Sequence, residues 1–191
     1  MTNVLEKLKT ETLSNHQQLE KNLILRLKGM ESHADYISIL QIFYGYFAAL
    51  EERINQYIGA DQLPDHADRR KTRSLKNDLD TMQAEIPAKA ATAELPEIGN
   101  AYQAFGALYV IEGSTLGGQI ISKMISKQLP MDSDAALSFF KSYGEDTMPM
   151  WTKFKNTLLQ QAPTREAADQ LVQAANETFL KFRHWMEKFD L

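Results

Sequence analysis

Apolar residues recur at steps of three and four along nearly the whole chain, a spacing that predicts helices. Leu5, Leu8, Thr12, His16, Leu19 and Leu23 share one face of an amphipathic helix expected over residues 3–23. Asn3 followed by Glu6 resembles a capping box at its start, and Gly29 marks its end or the turn after it. Ser32 and Asp35 can open a second helix, with a stripe of Ile37, Leu40, Tyr44, Phe47, Ile54 and Ile58 and with Gly59 as its C-cap. A loop over 61–68 contains Pro64, and a more polar helix is expected over 68–82. Residues 84–96, with two prolines and an alanine run, look like a connection. A long buried helix follows over 96–127, with Tyr102, Phe105 and Tyr109 on one face and Pro130 closing the segment. A short helix over 134–143, broken by Gly144, precedes another over 146–160 bearing Trp151, Phe154 and Leu158. Thr164, after Pro163, caps a last helix that buries Ala168, Leu171, Ala175, Phe179, Phe182, Trp185 and Phe189. No segment has the short alternating runs of a sheet. The expected architecture is all-α, one domain over 1–191 with about seven or eight helices.

The long helix at 96–127 breaks its own rules. Gly106, Gly113, Gly117 and Gly118 interrupt AYQAFGALYVIEGSTLGGQIISKMI. Each glycine inside a helix costs about 0.5–1 kcal/mol relative to alanine. Either another helix packs tightly against this stretch or a flat ligand lies against its backbone.

Composition narrows the chemistry. The chain has 191 residues, 43% hydrophobic and 24% charged, with net charge −4, an ordinary globular balance that gives no polyanion-binding signal. No nucleic-acid partner is expected. The absence of cysteine removes disulfides, thiolate metal sites and cysteine nucleophiles, and fits a reducing compartment such as the cytoplasm. The N-terminus lacks the apolar core of a signal peptide, and no run of about 18 apolar residues predicts a membrane span. The basic cluster Arg69, Arg70, Lys71, Arg73 and Lys76 has the ordinary reading of a solvated helix face.

Of the four histidines, His184 shares a polar face, His33 sits at a helix start and His66 in a loop. His16 alone lies on an apolar stripe. It is either a satisfied core residue or a ligand. Glu20 is close enough to take one ring N–H and leave the other nitrogen for a metal. HExxH and paired Glu-x-x-His motifs are absent, which disfavours zinc and di-iron sites. A metal with one histidine ligand calls for a macrocycle, and so for heme. Neither a phosphate-binding GxxxxGK[ST] loop nor a GxSxG elbow is present.

Two stretches carry a family resemblance. LKTETLSNHQQLE, residues 8–20, resembles the N-terminal motif of heme oxygenases, with a threonine (Thr12) four residues before the proximal histidine and a glutamate four after it. ALYVIEGSTLGGQIISK, residues 107–123, resembles the distal-helix motif of their bacterial, bacteriophytochrome-associated branch. The resemblance implies heme between the first helix and a kinked distal helix. It implies His16 as iron ligand, Glu20 as its hydrogen-bonding partner, Gly113 and Gly117 beside the opposite coordination position, and Gly118 at the kink. Lys9 matches a basic position that in some members meets a propionate, and Phe179, Lys181 and Arg183 fall where members line the pocket. Ser114 stands where the animal branch has its distal aspartate, among the groups beside the oxygen.

The activity so implied is cleavage of heme, at once substrate and cofactor, to biliverdin, ferrous iron and carbon monoxide. It uses O2 and electrons from an external reductant of ferredoxin or flavodoxin type, and a bacteriophytochrome is a candidate acceptor of the bilin. Two other readings share the fold: a heme carrier or sensor without turnover, and a non-heme enzyme of thiaminase-like or cofactor-maturation type.

Overall fold

The computed structural model describes residues 3–129 and 134–189. The described residues form helices α1 (Val4–Glu11), α2 (Leu13–Gly29), α3 (His33–Ile54), α4 (Arg73–Thr81), α5 (Ala101–Gly113), α6 (Thr115–Gln128), α7 (Ser138–Lys141), α8 (Thr147–Gln161) and α9 (Arg165–Met186). Short 3-10 turns sit at His66–Asp68, Thr92–Glu94, Asp134–Leu137 and Gly144–Asp146. No strand occurs among the described residues. The architecture is all-α, and no helix among the described residues is long and apolar enough to cross a membrane.

Local signals place several helix starts. The Asn3 side chain accepts the Leu5 N–H at 2.9 Å. Ser32 and Asp35 close a reciprocal capping box, with Asp35 N–H on Ser32 Oγ at 3.2 Å and Ser32 N–H on Asp35 Oδ2 at 2.9 Å. Thr164 Oγ1 accepts the Ala167 N–H at 3.2 Å and opens α9.

Five expectations need correction. The helix expected over 3–23 is two helices, α1 and α2, and reaches Gly29. It divides at Thr12, which is buried and whose hydroxyl donates to the Leu8 carbonyl at 2.7 Å, a back-bond that bends helices. The second helix ends at Ile54 with Asn55 as C-cap, so Gly59 lies outside it; its N–H is taken by Gln62 Oε1 at 2.9 Å. The helix expected over 68–82 begins only at Arg73, because the Arg69 side chain turns into the core. The long glycine-bearing helix starts at Ala101 and not near 96, capped by Asn100; its division at Ser114 is the bend that the family resemblance implied. Pro130 lies outside the described residues. Phe189, expected to be buried, lies past the end of α9, is 38% exposed and packs edge-on against Trp185.

The core is aromatic between α3, α7 and α9. Phe182 meets Phe43 at 5.0 Å and Phe47 at 4.7 Å between ring centres, and Phe139 and Phe140 close the cluster. Such ring pairs add about 0.5–1.5 kcal/mol each beyond the area they bury. The short α7 is held by Asp78, a buried carboxylate that accepts from Ser138 N at 2.9 Å, Ser138 Oγ at 2.6 Å and Phe139 N at 2.9 Å. Burial pushes its carboxyl above the usual range, against the pull of those donors.

α9 is the common wall. It packs on α1, α2, α3 and α5, most extensively on α5. That crossing is possible because position 106 is glycine: a Cβ there would run into the Leu171 carbonyl oxygen and press on Ala174. Gly106→Ala therefore loses stability by about 1–3 kcal/mol through overpacking, although alanine is the better helix former. Urea unfolding monitored by circular dichroism reads this as a lower midpoint with an unchanged slope.

Candidate active site

The candidate residues lie on two elements, α2 and the α5–α6 stretch, and both α2 and α5 pack on α9. The first is α2. His16 is exposed, and its ring stacks on buried Phe179 of α9 with centres 5.1 Å apart and planes 25° from parallel. Asn15 Nδ2 donates to Asn176 Oδ1 at 3.0 Å, Arg183 bonds Gln18, and Arg26 donates to the Met186 carbonyl. These contacts fix the rotation of α2, so His16 is held by its aromatic neighbour and remains open on its other face. His16, placed on the apolar stripe by its spacing, thus lies at the edge of the core and not inside it. Glu20 is exposed one turn on, and no side-chain hydrogen bond joins it to His16 among the described residues. Thr12 spends its hydroxyl on the Leu8 carbonyl, so its observed work is to bend the chain just ahead of His16. Lys9 is exposed in the last turn of α1.

Three residues of α9 were candidates for the pocket. Phe179 and Arg183 lie on the α2 side, where Arg183 also approaches Glu187 at 3.6 Å. Lys181 does not: its ammonium donates to the Ala93 carbonyl at 2.8 Å, on the loop before α5.

The second wall is α5 and α6. Its glycines divide into two kinds. At Gly106 and Gly118 an added Cβ would meet a backbone carbonyl, that of Leu171 or of Phe140. At Gly117 it would meet nothing within 4 Å, and at Gly113 only the Trp151 ring edge at 3.8 Å. The protein's own packing therefore explains Gly106 and Gly118, and leaves Gly113 and Gly117 without an internal reason. Beside this open backbone stand Leu116, 41% exposed, and Ile120, 66% exposed. Apolar side chains uncovered next to a bare helix backbone make a surface suited to a flat apolar ligand.

Between the two glycines Ser114 keeps helical angles, φ −63° and ψ −20°, so the chain bends there rather than turning away. Its hydroxyl donates to the Ile111 carbonyl at 2.7 Å, and the Thr115 hydroxyl donates to the Glu112 carbonyl at 2.6 Å. Back-bonding of this kind loosens the helical ladder.

Behind the break lies a polar cluster that the sequence reading missed. Arg69 is 3% exposed, not part of a solvated face. Its guanidinium bonds Glu112 at 2.8 Å, the Met150 carbonyl at 2.9 Å and Asp65 at 2.7 Å and 3.0 Å. Tyr143 donates to the Glu112 carboxylate at 3.0 Å and 3.1 Å, and burial together with that negative charge holds its phenol above the usual range. Arg70 reaches the break itself, donating to Ile111 O and Ser114 Oγ. One signal was available in advance: Glu112 is a carboxylate on a buried stretch, and a buried charge needs a partner.

A metal at this site would find little protein ligation. Among the described residues no three His, Asp or Glu side chains gather as ligands. His16, exposed and stacked on Phe179, offers one imidazole, a donor set that fits a metal whose remaining ligands come from a macrocycle.

The heme oxygenase family profile matches residues 2–188. The chain belongs to the heme oxygenase family. Its activity is the degradation of heme. A heme oxygenase of Xanthomonas campestris pv. campestris is 28% identical over 155 residues, 80% of this chain and 90% of that one. The heme oxygenase of Neisseria meningitidis, solved with NO and CO bound, superposes with a TM-score of 0.84 at 22% identity, over 98% of this chain and 92% of that one. A heme oxygenase from Leptospira interrogans gives 0.79 at 15% identity, over 98% of this chain and all (100%) of that one. One from the cyanobacterium Synechocystis, in complex with heme, gives 0.75 at 18% identity, over 98% of this chain and 92% of that one.

The two kinds of glycine give a direct test in the heme-free protein. Gly117→Ala raises its stability by up to about 1 kcal/mol, because open space leaves only the gain in helix propensity. Gly118→Ala lowers it, because the Phe140 carbonyl must move. Gly117→Leu keeps the fold but fills the open surface, so hemin affinity falls at least tenfold. Thermal melts and hemin titration read all three.

Proposed function

We propose that this chain, working as one domain over 1–191, holds its substrate heme between α2 and the broken α5–α6 helix. The carrying observation is that Gly113 and Gly117 leave backbone uncovered where nothing in the protein needs the room. The heme iron supplies the oxygen activation by which the same heme is opened to biliverdin, with release of ferrous iron and carbon monoxide.

The residues divide the remaining work. His16 offers an imidazole nitrogen to the iron, and Phe179, stacked on the ring, fixes the plane in which that nitrogen points. Glu20, one turn along α2, would accept the other ring N–H and raise the basicity of the ligand. Lys9 and Arg183 are the cations near α2 suited to the heme propionates. Gly113 and Gly117 would keep side chains clear of the heme on the side of the α5–α6 backbone, leaving room there for O2. Gly118 keeps α6 seated against α7 so that this opening is maintained. Ser114 acts by shaping the break, since its hydroxyl proton is already given to the Ile111 carbonyl.

Electrons come from an external ferredoxin or flavodoxin-type protein, in the cytoplasm, and a bacteriophytochrome is the proposed acceptor of the bilin. A heme carrier on the same fold would use the same pocket but stop at binding.

Mixing the purified protein with hemin gives a Soret band of a histidine-ligated heme. Adding a reductant and O2 bleaches that band and raises biliverdin absorption. His16→Ala lowers hemin affinity by about tenfold or more and abolishes turnover, and added imidazole restores part of the spectrum. A Soret band that persists for hours with reductant and O2 would favour the carrier. Unchanged hemin binding in His16→Ala would remove His16 as the ligand.

A further inference from the structure

The basic pair Arg69–Arg70, just before α4, is unexplained by heme binding, and its geometry points to the distal break. The Arg70 guanidinium donates through Nη2 to the Ile111 carbonyl at 2.7 Å and to Ser114 Oγ at 2.6 Å. Nη1 lies 3.4 Å from the Phe139 carbonyl, and the guanidinium carbon sits 4.1 Å over the Phe139 ring. Ser114 Oγ in turn gives its proton to the same Ile111 carbonyl. One carbonyl, the last before Glu112 and Gly113, therefore takes two side-chain donors, and the three groups close a small ring around the break. We propose that Arg70 is a positioning residue that holds the α5–α6 helix bent at Ser114, and so sets how the Gly113–Gly117 backbone faces the heme. This rests on the heme-binding reading given above for those glycines.

The clamp has a rigid base. The Arg70 backbone N–H donates to the Tyr143 hydroxyl at 2.7 Å, and Tyr143 donates to Glu112. Glu112 also takes Arg69, whose side chain and its own are each 1% exposed. Arg69 further spans Asp65 on one side and the Met150 carbonyl of α8 on the other. Consecutive arginines thus tie the segment before α4 to α5 and α8, one at Glu112 and the other at the break two residues later. Burying an arginine is costly, and removing one partner of such a pair leaves an uncompensated charge. The arrangement suits a site where one geometry must be held against the straight helix that LYVIEGSTLGG could otherwise form. It also fixes the chemistry of Ser114: with its proton on Ile111 O and a lone pair on Arg70, the hydroxyl is committed to the helix.

A lysine cannot substitute. The planar guanidinium meets two oxygens at once while stacked on a ring, whereas an ammonium is a compact point charge. The test uses hydrogen–deuterium exchange of the heme-free protein, followed by infrared spectroscopy of CO bound to the ferrous heme complex. Arg70→Lys and Arg70→Met should each speed amide exchange over 113–118 by about tenfold or more, the size expected for losing a charged hydrogen bond. Exchange in α3 and α9 should stay as in the parent. Ser114→Ala should loosen the same segment less, because Arg70 still holds Ile111 O. In the CO complex, Arg70→Lys should shift or broaden the C–O stretch by several wavenumbers, with His16 ligation unchanged. Exchange at 113–118 equal to the parent's would overturn the proposal, and so would a rise spread evenly over all helices, which would make Arg70 a general stabiliser. Because the exchange arm needs no heme, a failure of the clamp is distinguishable from a failure of heme binding.

Discussion

The contact on which the structure depends is the crossing of α5 over α9 at Gly106. A helix pair brought close enough for a backbone carbonyl to occupy the space of a side chain cannot slide or rotate without separating. That fixes α5, and with it Gly113 at its end. The other side of α9 carries Phe179, Asn176 and Arg183, which place α2 and His16. Both walls of the proposed heme site are therefore referenced to one helix.

Within the distal wall, glycine has two unlike uses. Gly106 and Gly118 are absences that the protein fills with its own carbonyls. Gly113 and Gly117 are absences that it leaves unfilled, next to Leu116 and Ile120, which remain exposed. The same residue type, twelve positions from first to last, thus both locks the helix in place and keeps one of its faces bare. The lock is what makes the bare face useful: a mobile helix with exposed backbone would fill the opening by shifting. Arg69, Arg70, Glu112 and Tyr143 add a polar brace from behind, where close packing alone would favour a straight helix.

Much of this was legible in the chain. Helix caps at Ser32–Asp35 and Thr164 depend on neighbours three residues away, so their local sequence was enough to name them. The stripes through Phe105, Phe154 and Phe182 were legible because burial imposes a period. His16 and the glycines were singled out by motif and by the cost of glycine in a helix, and Gly106 is a packing contact, one of the two readings open for that stretch. The break at Thr12 was not legible, because threonine sits in unbroken helices as well, Thr178 with the same back-bond among them; the bend at Ser114 was implied by the family motif, but the arginine that bonds it, 44 positions away, was not. Arg69 misled for the same reason. A run of basic residues looks like a solvated face until its carboxylate partner, 43 positions on, is brought beside it. Lys181 shows the finer limit: two residues along a helix from Phe179, it turns to the opposite side and bonds a loop.

The central claim is that the backbone left bare at Gly113 and Gly117 covers the iron on the face opposite His16. A crystal structure of the heme complex measures this most directly. The expected result is iron bound to a His16 ring nitrogen at about 2.0–2.1 Å, a bond length typical of histidine–metal ligation, with the Gly113–Gly117 backbone over the other axial position and no side chain between. Heme bound through another residue, or a distal position covered by a side chain instead of by that glycine backbone, would contradict it.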